Sequence, residues 1–345
     1  MMQDLIKRYK SLRTERQLAT AYHGRYAFVG YGQHSMTNLY PVLDYLGVPL
    51  KYICVTSDNK AQLIAGKRPF VKVTTSLEEI LHDEEVSGIF VSATPSAHFS
   101  LASKVLKSGK SLFIEKPPCA TLSELDELIA LQKGRINQFA MAGLQKRYAP
   151  AVQILKKRLC KQSPLSYDLH YLTGAYPEGN ALLDLFIHPL DLVTFLFGKP
   201  DILACRKVDS QSFLLMLRHP QTTGSLELST SYSWTSAEEQ LKVCTGAGVY
   251  RLSQMETLTF EPVAPTVFGI PTEKIRPAGR TVQYLFDRNN FNPTLVNNQV
   301  HSQGYFNELA AFVDTVESLN GSSAPGLETV RDTYVLIDEI AQLIR

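Results

Sequence analysis

The sequence predicts an α/β protein: a doubly wound parallel sheet in its first half, then an α+β region with a mostly antiparallel sheet. Two observations carry this. Between Tyr26 and Ala142, short and nearly continuous apolar runs alternate with stretches of helical periodicity, as in parallel strands covered on both faces. After about Leu144 the texture becomes alternating apolar and polar residues with turn residues between them, as in antiparallel strands with one buried face. At 345 residues the chain is longer than the ~250–300 residues that one core usually supports. The expected division is an N-terminal helical arm (1–25), the doubly wound region (26–143) and the α+β region (144–345).

Taken in order, residues 2–16 place Met2, Leu5, Ile6, Tyr9 and Leu12 on one helical face, with Lys7, Arg8, Lys10, Arg13 and Arg16 elsewhere. This arm is expected to pack on its own region or on a neighbouring subunit. Strands are expected at Tyr26–Tyr31, Leu50–Val55, Ser87–Ala93, Ser111–Ile114 and Gln138–Ala142, with helices such as Ala97–Leu106 and Leu122–Leu131 between them. Helical pattern returns at Ala149–Leu159 and Leu182–Phe197. Strand pattern follows at Phe213–Arg218, Ser225–Tyr232, Gln240–Thr245 and Val249–Leu252. Residues 262–300 read as an irregular excursion rich in proline and asparagine. Two helices, Gly304–Glu317 and Leu327–Ile344, close the chain around a turn at Asn320–Ser323.

Composition excludes several functions. A hydrophobic content of 44% with 20% charged residues is that of a globular protein. A net charge of +2 supplies no field for nucleic acid or an anionic membrane, and no apolar run reaches the ~18–20 residues that span a bilayer. The five cysteines are scattered without a Cys-x-x-Cys, which argues against a disulfide framework and a structural zinc. With no secretory h-region at the N-terminus, a cytoplasmic setting is expected.

The chemistry is written at strand ends. In open parallel sheets ligands bind at the carboxyl edge. Three expected strands end there in functional punctuation: Gly30-Tyr31-Gly32-Gln33-His34-Ser35, Thr94-Pro95-Ser96-Ala97-His98 and Glu115-Lys116-Pro117. In the first loop, two glycines serve the tight turn and the close approach of backbone to a pyrophosphate. Ser35 stands where a third glycine would allow helix–strand packing, and the helix beginning there offers free N–H groups. Lys116, held between Glu115 and a proline, can meet charge developing on an oxygen. Further on, Asp184, His188 and Asp191 fall on one face if Leu182–Phe197 is a single helix, so a carboxylate can orient the imidazole.

These four motifs, in this order, resemble the glucose-fructose oxidoreductase / inositol dehydrogenase / rhizopine-catabolism (Gfo/Idh/MocA) family, from about Tyr26 to the C-terminus. The resemblance implies an N-terminal Rossmann domain, an NAD or NADP cofactor and a small sugar-, cyclitol- or polyol-like substrate. It implies cofactor contacts from Gly30, Gly32, Gln33, His34, Ser35, Ser57, Asp58, Thr94, Pro95, His98, Glu115 and Lys116. By the same resemblance, Lys116 contacts substrate and nicotinamide, and Asp184 and His188 form the catalytic pair. Ser57 takes the place of the usual ribose-binding acid; Lys60 beside it would tolerate a 2′-phosphate and Asp58 would repel one, leaving NAD and NADP open. Lys146, Arg147 and Tyr148 match the segment that often lines the substrate pocket and could meet a polar or anionic substrate. Phe186, where the family often has glycine, could narrow that pocket. The expected activity is hydride transfer at a hydroxyl or carbonyl, with no metal and with self-association as a homodimer or homotetramer. The alternatives are a dinucleotide-binding sensor without turnover and a glycoside-cleaving enzyme that uses NAD transiently.

Overall fold

Six strands build the first sheet: β1 (Arg25–Val29), β2 (Leu50–Cys54), β3 (Lys72–Thr74), β4 (Val86–Val91), β5 (Ser111–Glu115) and β6 (Ala140–Gly143). The computed structural model describes residues 2–19, 22–135, 137–276, 279, 281–289, 291, 298–318 and 324–344. All pairings in this sheet are parallel, in the order β3-β2-β1-β4-β5-β6. The order reverses between β1 and β4, which opens a crevice at their carboxyl ends. β1, β4 and β5 are almost wholly buried, as their unbroken apolar runs require. β3 escapes the sequence reading because its three residues, two of them Lys72 and Thr74, form a half-exposed edge without an apolar run.

One face of this sheet carries Ala27, Ile89, Val91, Leu112 and Ile114 against the helices Pro95–Lys107 and Leu122–Gln132. Buried His98, Ala102, Val105 and Leu106 give the first of these helices its inward stripe. The opposite face carries Tyr26, Phe28, Phe90 and Phe113. It is closed partly by a helix from far along the chain, Tyr305–Val316, whose Phe312 ring lies 5.1 Å from Phe90 and 5.8 Å from Phe113.

The second sheet has eight strands: β7 (Pro164–Leu172), β8 (Asp201–Asp209), β9 (Ser212–Arg218), β10 (Thr223–Ser229), β11 (Glu238–Thr245), β12 (Gly248–Ser253), β13 (Thr257–Pro262) and, after the small hairpin β14 (Thr266–Val267) and β15 (Ile270–Pro271), β16 (Gln283–Asp287). All pairs are antiparallel except β7 with β10. β16 lies inside the stretch read as irregular. Its inner residues are only half buried, so no alternation marks it. Helices Pro150–Leu159 and Ile187–Phe197 contribute to the cover of one face; the other presents Leu214 and Met216 to solvent.

Three expectations change. The helix predicted over Leu182–Phe197 is two pieces, Ala181–Asp184 and Ile187–Phe197. Pro189 explains the break: lacking an N–H, it suits only the first turn of a helix, so the second piece starts afresh just before it. Asp184 and His188 are therefore not on one continuous helical face. The arm is a helix, Met2–Ala19, but Met2, Leu5, Ile6, Tyr9 and Leu12 are 50–78% exposed, so this stripe does not pack on its own chain. Helix Leu122–Gln132 and the other crossovers agree with the sequence to within two residues. The turn expected at Asn320–Ser323 lies outside the described residues.

Candidate functional site

A cavity of ≈ 630 Å³ runs along the switch point and is lined by Gly30, Tyr31, Gly32, Gln33, His34, Thr56, Lys60, Thr94 and Ala97 among others. Gly30 is dictated by packing. Its φ is +109°, and a Cβ there would stand 1.9 Å from the Ser92 carbonyl oxygen. A Cβ on Gly32 would meet nothing within 4 Å, so that side lies open. Ser35 is fully buried; its hydroxyl donates to the Gly32 carbonyl and accepts from the Gly32 N–H, each at 3.0 Å. It braces the loop from beneath and does not line the cavity.

At the second strand end, Ser57 caps the helix Asp58–Lys67 and Asp58 accepts from the Thr75 hydroxyl at 3.3 Å. Neither lines the cavity; Thr56 and Lys60 do. Helix Pro95–Lys107 begins with no side chain capping it; Pro95 has no N–H and the Ala97 N–H donates to the Thr94 carbonyl at 2.9 Å, which leaves the Ser96 N–H for a ligand beside Thr94. His98 is 1% exposed and works as a staple. Burial holds its pKa down, so the neutral ring donates from Nδ1 to the Pro117 carbonyl (2.7 Å) and accepts the Ala93 N–H at Nε2 (3.3 Å). It ties two strand-end loops together, out of reach of a ligand.

Beyond the first cavity the charged groups gather. Glu115, 5% exposed, has its Oε1 3.4 Å from His34 Nε2. His34 in turn meets Asn38 (3.1 Å) and the Tyr305 ring (5.7 Å), which line a second cavity of ≈ 380 Å³ together with His188, Lys146, Tyr171, Trp234 and Glu239. Lys116 donates from Nζ to the Asp184 backbone carbonyl at 2.8 Å. Burial lowers the Lys116 pKa. His188 is driven well below the ordinary histidine value, by burial first and then by the charges of Lys116, Lys146 and His34. Its Nδ1 has no hydrogen-bond partner. That nitrogen is itself buried, so His188 meets the second cavity with the rest of its ring.

The other expected site residues lie elsewhere. The Asp184 carboxylate accepts from the Asn180 N–H (2.9 Å) and the Tyr176 hydroxyl (3.5 Å), shaping the approach loop; no hydrogen bond joins it to His188. Arg147 and Asp191 form a buried pair behind the site, Nε to Oδ2 at 2.7 Å, with Thr333 donating to Asp191 and Thr329 accepting from Arg147. Arg147 is thus spent on the core and does not face the cavity. Tyr148 packs against the aromatic face of the first sheet. Phe186 is fully buried, edge-on to Tyr171 and Phe213, so its bulk fills the core and leaves the pocket alone.

The sequence reading missed Tyr171, Trp234, Glu239, Tyr305 and Glu308. Glu308, fully buried, faces the Leu144 amide; its pKa is raised well above the carboxylate range by burial and then by the charge of Glu115. It stays a neutral acid beneath the Glu115 strand end. Only the sheet register brings Glu239 opposite Tyr171, and only the return of a late helix brings Tyr305 and Glu308 to the first sheet.

This geometry has known counterparts. Residues 24–142 match the model of the Gfo/Idh/MocA group described as an oxidoreductase family with an NAD-binding Rossmann fold. The likeness of fold extends to whole structures: a levoglucosan dehydrogenase in complex with NADH and L-sorbose superposes with a TM-score of 0.75 at 15% identity, covering 93% of this chain and 96% of that one. Among curated proteins, the oxidoreductase YhhX of Escherichia coli is 28% identical over 146 residues, 39% of this chain and 42% of its own. An inositol 2-dehydrogenase of Salmonella typhimurium is 22% identical over 161 residues, 44% of this chain and 48% of the enzyme. The chain thus spans under half the length of these two relatives.

Proposed function

We propose that this protein is an NAD(P)-dependent dehydrogenase that moves hydride between a nicotinamide and a hydroxyl or carbonyl carbon of a small sugar, cyclitol or related polyol. The observation that carries the reading is neutral His188 on the lining of a cavity next to a dinucleotide-sized one, with its pKa lowered by burial and by the nearby charge of Lys116. The residues suit such a cofactor: Gly30 allows the tight turn, Gly32 leaves room for a pyrophosphate, and the uncapped helix at Thr94 offers its Ser96 N–H to the ligand. When bound there, the nicotinamide supplies or receives the hydride.

The chain's own residues do the rest. In oxidation, His188 takes the hydroxyl proton while the Lys116 ammonium stabilises negative charge developing on the same oxygen; in reduction His188 returns the proton. Lys116 is aimed by the Asp184 carbonyl, so Asp184 contributes through its backbone as much as through its carboxylate. Lys60, unlike Asp58, faces the adenosine end and favours a 2′-phosphate.

The functional division follows: 26–143 serves the cofactor, 144–345 the substrate and self-association, and 1–25 reaches outward. The open face of the second sheet, with Leu214 and Met216 exposed on β9, suits a homodimer or homotetramer. A cytoplasmic protein with no nucleic-acid or membrane partner fits its near-neutral charge; among the described residues no helix is long and apolar enough to cross a membrane. The test is turnover: a panel of sugars and cyclitols with each dinucleotide, followed by the absorbance of reduced nicotinamide. No reduction or oxidation across the panel, with dinucleotide bound, would defeat the dehydrogenase reading.

A further inference from the structure

The second cavity is polar, yet its one lysine is already spoken for. Lys146 Nζ is ion-paired with Glu239 and stands over the Tyr171 ring, 4.7 Å from its centre. The two side chains are only 8% and 10% exposed. Glu239 and Tyr171 are direct register partners on β11 and β7, so the sheet itself builds the clamp. The next residue, Glu238, adds a second carboxylate to the lining. Arg147 is locked to Asp191, and Lys116 donates to the Asp184 backbone carbonyl. Among the described lining residues, carboxylates outnumber ammonium groups two to one.

We infer that the Lys146–Glu239 pair is the specificity lock of this cavity, and that it selects uncharged polyhydroxylated rings over carboxylated, phosphorylated or nucleotide-linked ones. This rests on the dehydrogenase reading of the same site and narrows its substrate. An entering anion would give up its water, find no unpaired ammonium on the lining, and face two carboxylates. The selection therefore works chiefly by rejection. A neutral polyol meets Gln254, Gln299 and Gln303, whose amides both donate and accept as hydroxyl groups do, and the indole of Trp234 for its C–H face. The paired charges also polarise ring hydroxyls without presenting net charge. In the absence of Glu239, Lys146 becomes a free buried ammonium, which is an anion site.

The experiment measures binding to the dinucleotide-loaded protein by calorimetry, and turnover where it occurs, with myo-inositol and glucose against glucuronate and glucose 6-phosphate. The parent should bind the neutral compounds and prefer them over either anion. Glu239→Gln should raise the anion-to-neutral affinity ratio at least about tenfold, the factor that one charge-assisted hydrogen bond supplies. The double variant Lys146→Met/Glu239→Gln, uncharged at both positions, should return the ratio to within about threefold of the parent. Dinucleotide affinity reports folding in each case. If Glu239→Gln fails to fold, the parent and the double variant decide the matter. Tighter binding of glucuronate or glucose 6-phosphate than of the neutral compounds by the parent overturns the inference, as does an unchanged ratio in a folded Glu239→Gln protein. Neutral binding without any turnover defeats the dehydrogenase reading and leaves the lock standing.

Discussion

Asp191→Ala is the sharpest test of how this site is partitioned between chemistry and support. Asp191 looks catalytic by spacing, three residues after His188, but it is 2% exposed and accepts two bonds from the Arg147 guanidinium and one from Thr333. Removing the carboxylate strands a guanidinium that is itself 4% exposed. Breaking a buried pair in this way costs about 3–5 kcal/mol. Thr329 still accepts from Arg147 through its hydroxyl and carbonyl, which points to the lower end. With an unfolding entropy of about 2.1 cal/mol/K per residue, a cooperative unit of this length has roughly 0.7 kcal/mol/K, so the melting temperature should fall by about 4–7 °C. Scanning calorimetry with and without dinucleotide measures this. Arg147→Met/Asp191→Leu should recover most of the loss, because an apolar pair of similar volume carries no stranded charge. An Asp191→Ala protein that melts with the parent and instead raises KM for substrate would place the pair in the substrate path and refute the partition.

Three further outcomes are expected. Lys116→Ala and His188→Ala should hold dinucleotide affinity near the parent's while lowering turnover by ~10²–10⁴; variants within a few-fold of the parent would remove both from the chemistry. Because the His188 pKa lies below 6.5 and oxidation needs the neutral ring, the acid limb of kcat/KM for oxidation should fall only below that pH, whereas reduction, which needs the proton, should improve as pH drops. An acid limb for oxidation centred above pH 6.5 in the pH–rate profile contradicts this. Gly30→Ala should lower both melting temperature and dinucleotide affinity, through its +109° φ and the clash with Ser92, whereas Gly32→Ala should spare stability and weaken dinucleotide binding alone. A Gly30→Ala protein as stable as the parent would show that the loop can relax.

Most of the first sheet was readable because its strands are buried on both faces and end in residues that do not belong in a core: Gly30, Thr94, Glu115. The split of the helix at Leu185–Phe186 was also readable, since Pro189 cannot sit deep inside a helix, and the regular spacing of Asp184, His188 and Asp191 masked it. β3 was not, being short and half exposed. The second cavity was least legible. Alternation places Glu239 on the inward face with Leu241 and Val243, opposite to Gln240 and Lys242, but a carboxylate on β11 and a tyrosine on β7 become neighbours only through sheet register. Arg147 illustrates the converse: residue type and position suggest a ligand contact, and only the three-dimensional partner, Asp191, reveals its employment in the core.

The late helix Tyr305–Val316 also sets a timetable for biosynthesis. The ribosome completes all six strands of the first sheet early, yet the aromatic face of Phe90 and Phe113 waits for Phe312, Leu309 and Val313. Until then a nascent chain holds an unsealed apolar surface of the sort that chaperones grip. Tyr305 and Glu308, carried on the same helix, reach the Glu115 strand end at that moment. Sealing the sheet and finishing the pocket are therefore one event, and a product interrupted before it is a client for proteolysis, without a working half to release.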